Sequence, residues 1–176
     1  SVSFALDWEP YWRTDESGNK VQQTATYTYN AFYTGHASDL KVEKAVGANI
    51  FKVNDWASGV SFKFILNEDN TCTVPAQSIG YYNSNYNEYV KVSDMAEYTG
   101  NKSAYSSYPC TYDGKGNFSF YLIYFVSSGY FAKGNETLSF NGNEDKTPVV
   151  EISFDGIETT ETGFKAPRLS FSKNEY

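Results

Sequence analysis

The chain has 176 residues with 21 acidic and 14 basic side chains, which gives a formal net charge of −7. This balance argues against nucleic acid as a partner, because a phosphate backbone would meet net repulsion instead of releasing counterions. No apolar run approaches the roughly 18 residues that a membrane span needs. Aromatic residues make up 18% of the sequence, so the chain carries enough apolar surface for one packed core.

Alternation of polar and apolar residues is the dominant local pattern. Tyr27 and Tyr29 alternate with threonines, and the run at residues 60–66 alternates in the same way. Such a period of two is typical of β-strands with one buried face. Further strands are predicted at residues 39–44, 49–54, 71–76, 88–92, 117–126, 137–140, 149–154 and 166–171.

Turn residues separate several of these strands. Residues 67–70, 113–116 and 141–143 are short, polar or glycine-containing connections of hairpin length, so the strands that they join should pair antiparallel. The strand at 117–126 is apolar on both faces, which places it at the centre of the fold. One short helix is predicted at residues 94–98, with Ser93 or Asp94 as its N-cap.

About ten short strands with at most one short helix predict an all-β fold. An antiparallel β-sandwich is the first interpretation and a closed or partly open β-barrel is the alternative. Residues 1–176 are expected to form a single β domain, with a minor boundary near residues 142–148. Residues 149–176 then either complete the sheet or start a further β unit, and we favour the first.

Four segments resemble repeating modules of uncharacterised exported proteins of gut Bacteroidetes. They are residues 48–56 (ANIFKVNDW), 58–64 (SGVSFKF), 73–80 (TVPAQSIG) and 112–120 (YDGKGNFSF). The resemblance implies a secreted or lipid-anchored component of the cell envelope, often encoded beside functions that handle glycans or host material. It implies no catalytic motif, and Ser1 stands where a lipoprotein would carry its lipid-attachment cysteine.

No credible catalytic set emerges from the sequence. His36 is the single histidine, and Ser38 and Asp39 lie too close to it along the chain for the usual geometry of a nucleophilic triad. Asp7 and Glu9 stand beside tryptophans, but they are interpreted as acids of a solvated face. We therefore assign no catalytic residue, no metal ligand and no cofactor, and expect the protein not to be an enzyme.

Aromatic and amide side chains suggest a binding surface. Flat rings present apolar faces to sugar C–H groups, while amides both donate and accept hydrogen bonds. The candidate residues are Trp8, Tyr11, Trp12 and Trp56, together with Tyr81, Tyr82, Asn83, Asn85 and Tyr86 of a tyrosine-asparagine loop.

Cys72 and Cys110 are the two cysteines of the chain. A disulfide between them is one interpretation if their strands are neighbours, and two half-buried free thiols are an equally weighted one.

The sequence thus favours a non-catalytic module of the cell envelope, or a secreted one, that binds glycan or protein or serves as a structural unit of a larger surface protein. A glycan-active hydrolase with paired carboxylates is one alternative. A barrel that carries a small ligand in an apolar cavity is another. The oligomeric state is left open.

Overall fold

The computed structural model describes residues 6–142, which form thirteen β-strands, one short α-helix and one 3₁₀ turn. The predicted strands at 149–154 and 166–171 and most of the boundary at 142–148 lie outside the described residues. The strands are β1 (Trp8–Pro10), β2 (Trp12–Thr14), β3 (Lys20–Gln22), β4 (Thr24–Tyr29), β5 (Gly35–Ala45), β6 (Ile50–Ala57), β7 (Val60–Leu66), β8 (Cys72–Thr73), β9 (Gln77–Asn83), β10 (Glu88–Asp94), β11 (Thr111–Tyr112), β12 (Asn117–Val126) and β13 (Gly129–Phe140). Helix α1 spans Met95–Thr99 and the 3₁₀ turn spans Lys102–Ser106.

Eleven strands belong to one antiparallel sheet, which confirms the predicted all-β class. Its order is β8-β7-β6-β5-β4-β13-β12-β10-β9, with β1 added beside β5 and β11 beside β12, while β2 and β3 form a separate ribbon. The sheet curls into a half-barrel. This architecture is the partly open β-barrel that the sequence predicted as the alternative to a β-sandwich.

Bulges in neighbouring strands bend the sheet. Asp39 in β5 and Asp55 in β6 adopt left-handed backbone conformations, with φ of +58° and +56°. The pairing register shifts beside each of them, between β4 and β5 and between β6 and β7. An extra residue on one strand increases the local twist and bends the strand, and aspartate tolerates the left-handed region better than most residues.

The two ends of this curled sheet meet where β9 approaches β7. The side-chain amide of Gln77 accepts a hydrogen bond from Lys63 N at 2.9 Å and donates one to Lys63 O at 2.8 Å. Gly80 lies so close to β7 that an added Cβ would stand 3.0 Å from Ser58 Cβ and 3.0 Å from Val60 Cγ1. The Gln77 amide therefore takes the place of a backbone hydrogen-bonding partner at this contact between β9 and β7, which we call the seam. Gly80 permits the close approach of the two strands.

Packed aromatic rings fill the interior of the curled sheet. Phe64 contacts Phe118 and Phe120 at centroid distances of 4.9 and 5.1 Å, and Trp56 stacks on Phe62 at 4.8 Å. Alternate residues of β4 are buried, as the period of two predicts. Strand β12 buries one face along its length and Ile123 on the other, and it lies inside the sheet, between β13 and β10, but not at its centre.

Helix α1 begins where the sequence predicted. Asp94 is the N-cap, and its Oδ1 accepts a hydrogen bond from Glu97 N at 2.7 Å. The other oxygen, Oδ2, accepts hydrogen bonds from Val74 N and from the Tyr105 hydroxyl, each at 2.8 Å. One buried carboxylate thus fixes the helix, the segment before β9 and the 3₁₀ turn to each other.

Candidate functional site

The three aromatic residues predicted near the N-terminus differ in their exposure and in their contacts. Trp12 is 45% exposed and has the Lys20 ammonium 4.7 Å from its ring centroid. Trp8 is half-buried beneath Lys52. Tyr11 packs against the core, 5.3 Å from the ring of Phe51.

Trp56 belongs to the core and not to a surface platform. It is 1% exposed and stacks on Phe62, and its ring meets Tyr27 edge-on at 5.5 Å. The bulge at Asp55 explains this position, because it lets the adjacent residues Trp56 and Ala57 both be buried.

The predicted tyrosine-asparagine loop is the end of β9 followed by a tight turn. Asn83 is buried, and its Oδ1 accepts a hydrogen bond from Asn85 N at 2.8 Å while its carbonyl accepts one from Tyr86 N at 3.2 Å. Tyr86 packs edge-on against Phe131, and Tyr81 packs against the core. Of these residues, the asparagines build the turn and Tyr82 alone among the tyrosines is strongly exposed, at 48%.

Tyr82 stands in a larger exposed aromatic surface on the outer side of β9, β10, β12 and β13. Tyr82 pairs with Tyr89 across β9 and β10, and their rings meet edge-on at 5.2 Å. Tyr89 is 54% exposed and Tyr130, on β13, is 48% exposed. Phe125 of β12 pairs with Tyr130 and is half-buried. We call this surface, made of Tyr82, Tyr89, Phe125 and Tyr130, the tyrosine face.

Two exposed lysines lie on the tyrosine face. The Lys133 ammonium is 5.1 Å from the ring centroid of Tyr130 and 5.9 Å from that of Tyr108. Lys91 pairs with Phe125 from the other side, across β10 and β12. A lysine ammonium over a ring face gains a favourable interaction with the ring quadrupole, as Lys133 does here. Lys91 and Lys133 together form a positively charged border to the tyrosine face of an acidic chain.

The sequence patterns missed half of this surface. Tyr89 was visible as a neighbour of the tyrosine loop, but Tyr130 and Lys133 were not connected with it. They are three residues apart, and strict alternation would put them on opposite faces. The register shifts between β12 and β13 at Tyr124 and Phe125, so that Phe131 is buried while Tyr130 and Lys133 are both exposed.

A second surface feature is a cleft of about 380 Å³ over the outer side of β5, β6 and β7. It is lined by Asp39, Leu40, Lys41, Asn54, Asp55, Gly59 and Ser61. Ser61 Oγ donates a hydrogen bond to Asn54 Oδ1 at 3.1 Å, and Asn54 Nδ2 donates one to Glu43 Oε2 at 2.7 Å. The cleft therefore offers two carboxylates and a fixed amide to a polar ligand.

A buried carboxylate, Glu136, holds the loop after β4 in place. Its Oε1 accepts hydrogen bonds from the hydroxyls of Tyr27 and Tyr124, at 2.6 and 2.7 Å, and its Oε2 accepts from Asn30 N and Ala31 N, each at 2.8 Å. Burial raises the pKa of Glu136, although these four donors lower it in part. Both carboxylate oxygens are thus occupied by hydrogen-bond donors, so Glu136 can hold the loop after β4 in a fixed position.

Both cysteines are buried free thiols in the structure. The two residues are neighbours, since Cys72 N donates a hydrogen bond to Cys110 O at 2.9 Å. Burial raises the pKa of Cys72 to about 12 and raises that of Cys110 as well. A thiol that stays protonated reacts slowly, because the thiolate is the nucleophile.

Two kinds of feature are absent from the residues that the structure describes. Across residues 6–142, no three histidine, cysteine or acidic side chains cluster as a metal site. Within the same part of the chain, no helix is long and apolar enough to cross a membrane.

Comparison with known proteins adds no relative. A scan against protein-family models finds no match, and neither does a search of curated proteins or of solved structures.

Proposed function

We propose that this protein is a non-catalytic recognition module that binds glycan on the tyrosine face. The observation that carries the proposal is the pairing of exposed rings on adjacent strands: Tyr82 with Tyr89, and Phe125 with Tyr130. Three of these four rings are about half exposed, although their size and apolar character would favour burial. A contiguous exposed apolar patch with a polar border is typical of a binding surface.

The chemistry of the surface suits sugars. The Tyr82 and Tyr89 rings stand at 74° to each other, so they form a corner that offers one ring face and one ring edge. Tyrosine hydroxyls, the Lys91 and Lys133 ammoniums and the Asn87 amide at the β9–β10 turn supply hydrogen-bonding groups around the rings. The rings lie on paired strands, so the surface is largely formed before a ligand arrives.

Tyr82→Ala and Tyr89→Ala test the proposal. The protein is applied to an array of neutral and acidic glycans, and the affinity for each retained glycan is then measured by calorimetry. We expect each variant to lose at least about tenfold in affinity, as removal of a stacked ring costs about 1.4 kcal/mol or more. Circular dichroism checks that the variants are folded.

Trp12→Ala is the matched control, because Trp12 is an aromatic residue of similar exposure but lies on the β2–β3 ribbon. It should leave the affinity unchanged. Glycan binding that survives both tyrosine substitutions, or an array without any retained glycan, contradicts the proposal.

The cleft between β5, β6 and β7 supports a second candidate function, glycan hydrolysis. Asp39 and Asp55 line it together, and a glycosidase needs two carboxylates flanking the scissile bond. The test is release of reducing ends from the polymers that the protein binds, compared with the variants Asp39→Asn and Asp55→Asn. If reducing ends are released and either substitution abolishes that release, the result supports a hydrolase. If no bound polymer releases reducing ends, the hydrolase is rejected.

The interior offers no support for a carrier of small ligands. The space inside the curled sheet is occupied by rings such as Phe62, Phe64 and Phe120, which are in mutual contact. A carrier barrel needs an open apolar cavity.

A further inference from the structure

We infer that the glycan bound by the tyrosine face carries carboxylate groups, as a polymer of uronic acids does. This inference rests on the proposed function of the same surface and adds the charge of the ligand to it. It is carried by the two lysines that border the rings and by their spacing.

Lys91 and Lys133 lie on opposite sides of β12. Lys91 is on β10 and pairs with Phe125, whereas Lys133 is on β13 and pairs with Ile123. Strand β12 runs between them, so their strands are two spacings apart, about 10 Å. Both side chains are exposed. Two cations at this separation match charges that repeat along a chain of sugars better than one charge on a small ligand.

The rings also hold one of the cations in position. The Lys133 ammonium lies within 6 Å of both Tyr130 and Tyr108, a distance at which the ring quadrupole attracts it. A lysine that is already oriented loses less conformational entropy when it meets an anion. The ammonium therefore offers a partly preorganised partner to a carboxylate beside a sugar that stacks on Tyr130.

Two acids lie near this positive border, and one of them already accepts a hydrogen bond within the protein. Glu88 directs its Oε1 to Ser127 N at 2.8 Å, as the cap of the β12–β13 turn. Glu97 lies on helix α1 and its exposed side chain borders the face beside Tyr98, whose ring packs on Phe125. Elsewhere the chain is acidic, with a formal net charge of −7. A densely sulfated polymer would be repelled by that surface, so a sparser carboxylate polymer is the better match.

Two polymers of the same backbone test the inference. Polygalacturonate carries a carboxylate on each sugar, and its fully methyl-esterified form carries none. We expect the 176-residue chain to bind the free acid at least about tenfold more tightly than the ester, and to lose about tenfold in affinity when both lysines are replaced, as Lys91→Gln with Lys133→Gln. Salt should weaken the binding, because raising it from about 0.02 M to 0.3 M shortens the screening length.

Lys20→Gln is the matched control, since Lys20 also lies over an exposed ring, that of Trp12. It should bind the free acid like the parent protein. Equal affinity for acid and ester that still depends on Tyr82 and Tyr89 overturns the inference and leaves a neutral-glycan module. Binding restricted to dextran sulfate, a densely sulfated polymer without carboxylates, also overturns it. Loss of the tyrosine dependence contradicts the proposed function itself.

Discussion

The side chain of Gln77 makes the two hydrogen bonds to Lys63 that a neighbouring backbone would make: it accepts one from the amide nitrogen and donates one to the carbonyl oxygen. It does so where β9 meets β7, at the seam of the curled sheet. Side chains rarely replace a ladder partner in both directions, and an amide is among the few that can donate and accept at once. Gln77 thus supplies at the contact of β9 with β7 what a strand pairing would supply, while backbone bonds from Cys72 N to Cys110 O and from Tyr112 N to Asn70 O join β8 to the segment at β11.

Gln77→Leu should destabilise the protein by about 2–3 kcal/mol, because it leaves the Lys63 amide and carbonyl without this partner in a partly buried seam. Gln22→Leu is the control, since Gln22 donates a single hydrogen bond to Val42 O at 3.0 Å. Urea denaturation followed by tyrosine fluorescence measures both. Equal losses from the two substitutions would show that the seam does not depend on the Gln77 amide.

Gly80→Ala should cost about 2–4 kcal/mol. The residue has φ of +80°, and the new methyl group would stand 3.0 Å from Ser58 Cβ and from Val60 Cγ1, so strain from overpacking adds to backbone strain. Gly47→Ala separates the two causes, because Gly47 has φ of +81° with nothing within 4 Å of an added Cβ. It should cost about 1–2 kcal/mol. If thermal unfolding shows equal losses for both variants, β9 and β7 are not in tight contact.

Glu136→Ala should cost about 3 kcal/mol or more, since it leaves the hydroxyls of Tyr27 and Tyr124 and the amides of Asn30 and Ala31 without their acceptor. Glu136→Gln retains one oxygen and should lose less. The comparison is made by urea denaturation at a single pH. Similar losses for alanine and glutamine would contradict the role of the carboxylate as an anchor for the loop.

The stability conferred by Glu136 should depend on pH. Its pKa in the folded protein is raised above the ordinary value of 4.5, so the folded state retains the proton longer than the unfolded state does. The pH-dependent part of the contribution of Glu136 to stability is therefore fully present below about pH 4.5 and is lost as the pH rises through the folded pKa. The difference in unfolding free energy between the parent and Glu136→Gln, measured from acid to neutral pH, should fall in that direction. A rise would contradict the assignment.

The two thiols should be inert in the folded protein. At pH 8 the raised pKa values of Cys72 and Cys110 keep both protonated, and their burial blocks access. An aromatic disulfide reagent should modify neither of them in buffer and both of them in concentrated urea. Rapid modification of the native protein, or absence of free thiols in urea under non-reducing conditions, would contradict this prediction; the second result would identify a Cys72–Cys110 disulfide.

Regular elements could be predicted from the sequence because they depend on short-range patterns. Strand β12 has the predicted bounds, Asn117–Val126, since an unbroken apolar run leaves few alternatives. The cap of α1 was visible because Asp94 precedes a helical turn and a carboxylate oxygen satisfies its first amides. In both cases the information lies within a few neighbouring residues.

Features that depend on an interrupted period could not be predicted in this way. Strands β5 and β13 begin earlier than expected, at Gly35 and Gly129, because bulges break the alternation inside them. The bulge at Asp55 buries Trp56, and the register shift beside Phe131 brings Tyr130 next to Lys133. A sequence shows which residues have aromatic rings, but the side on which each ring stands after a bulge depends on long-range pairing.

Strand β10 has two independent sides. Val90 and Val92 are buried, while Tyr89 and Lys91 between them are exposed. Substitutions at the outward positions change no contact of the interior, so the outer surface of this strand can vary while its packing stays the same. The ligand preference that we propose for this surface can therefore be altered through every second residue of a few strands.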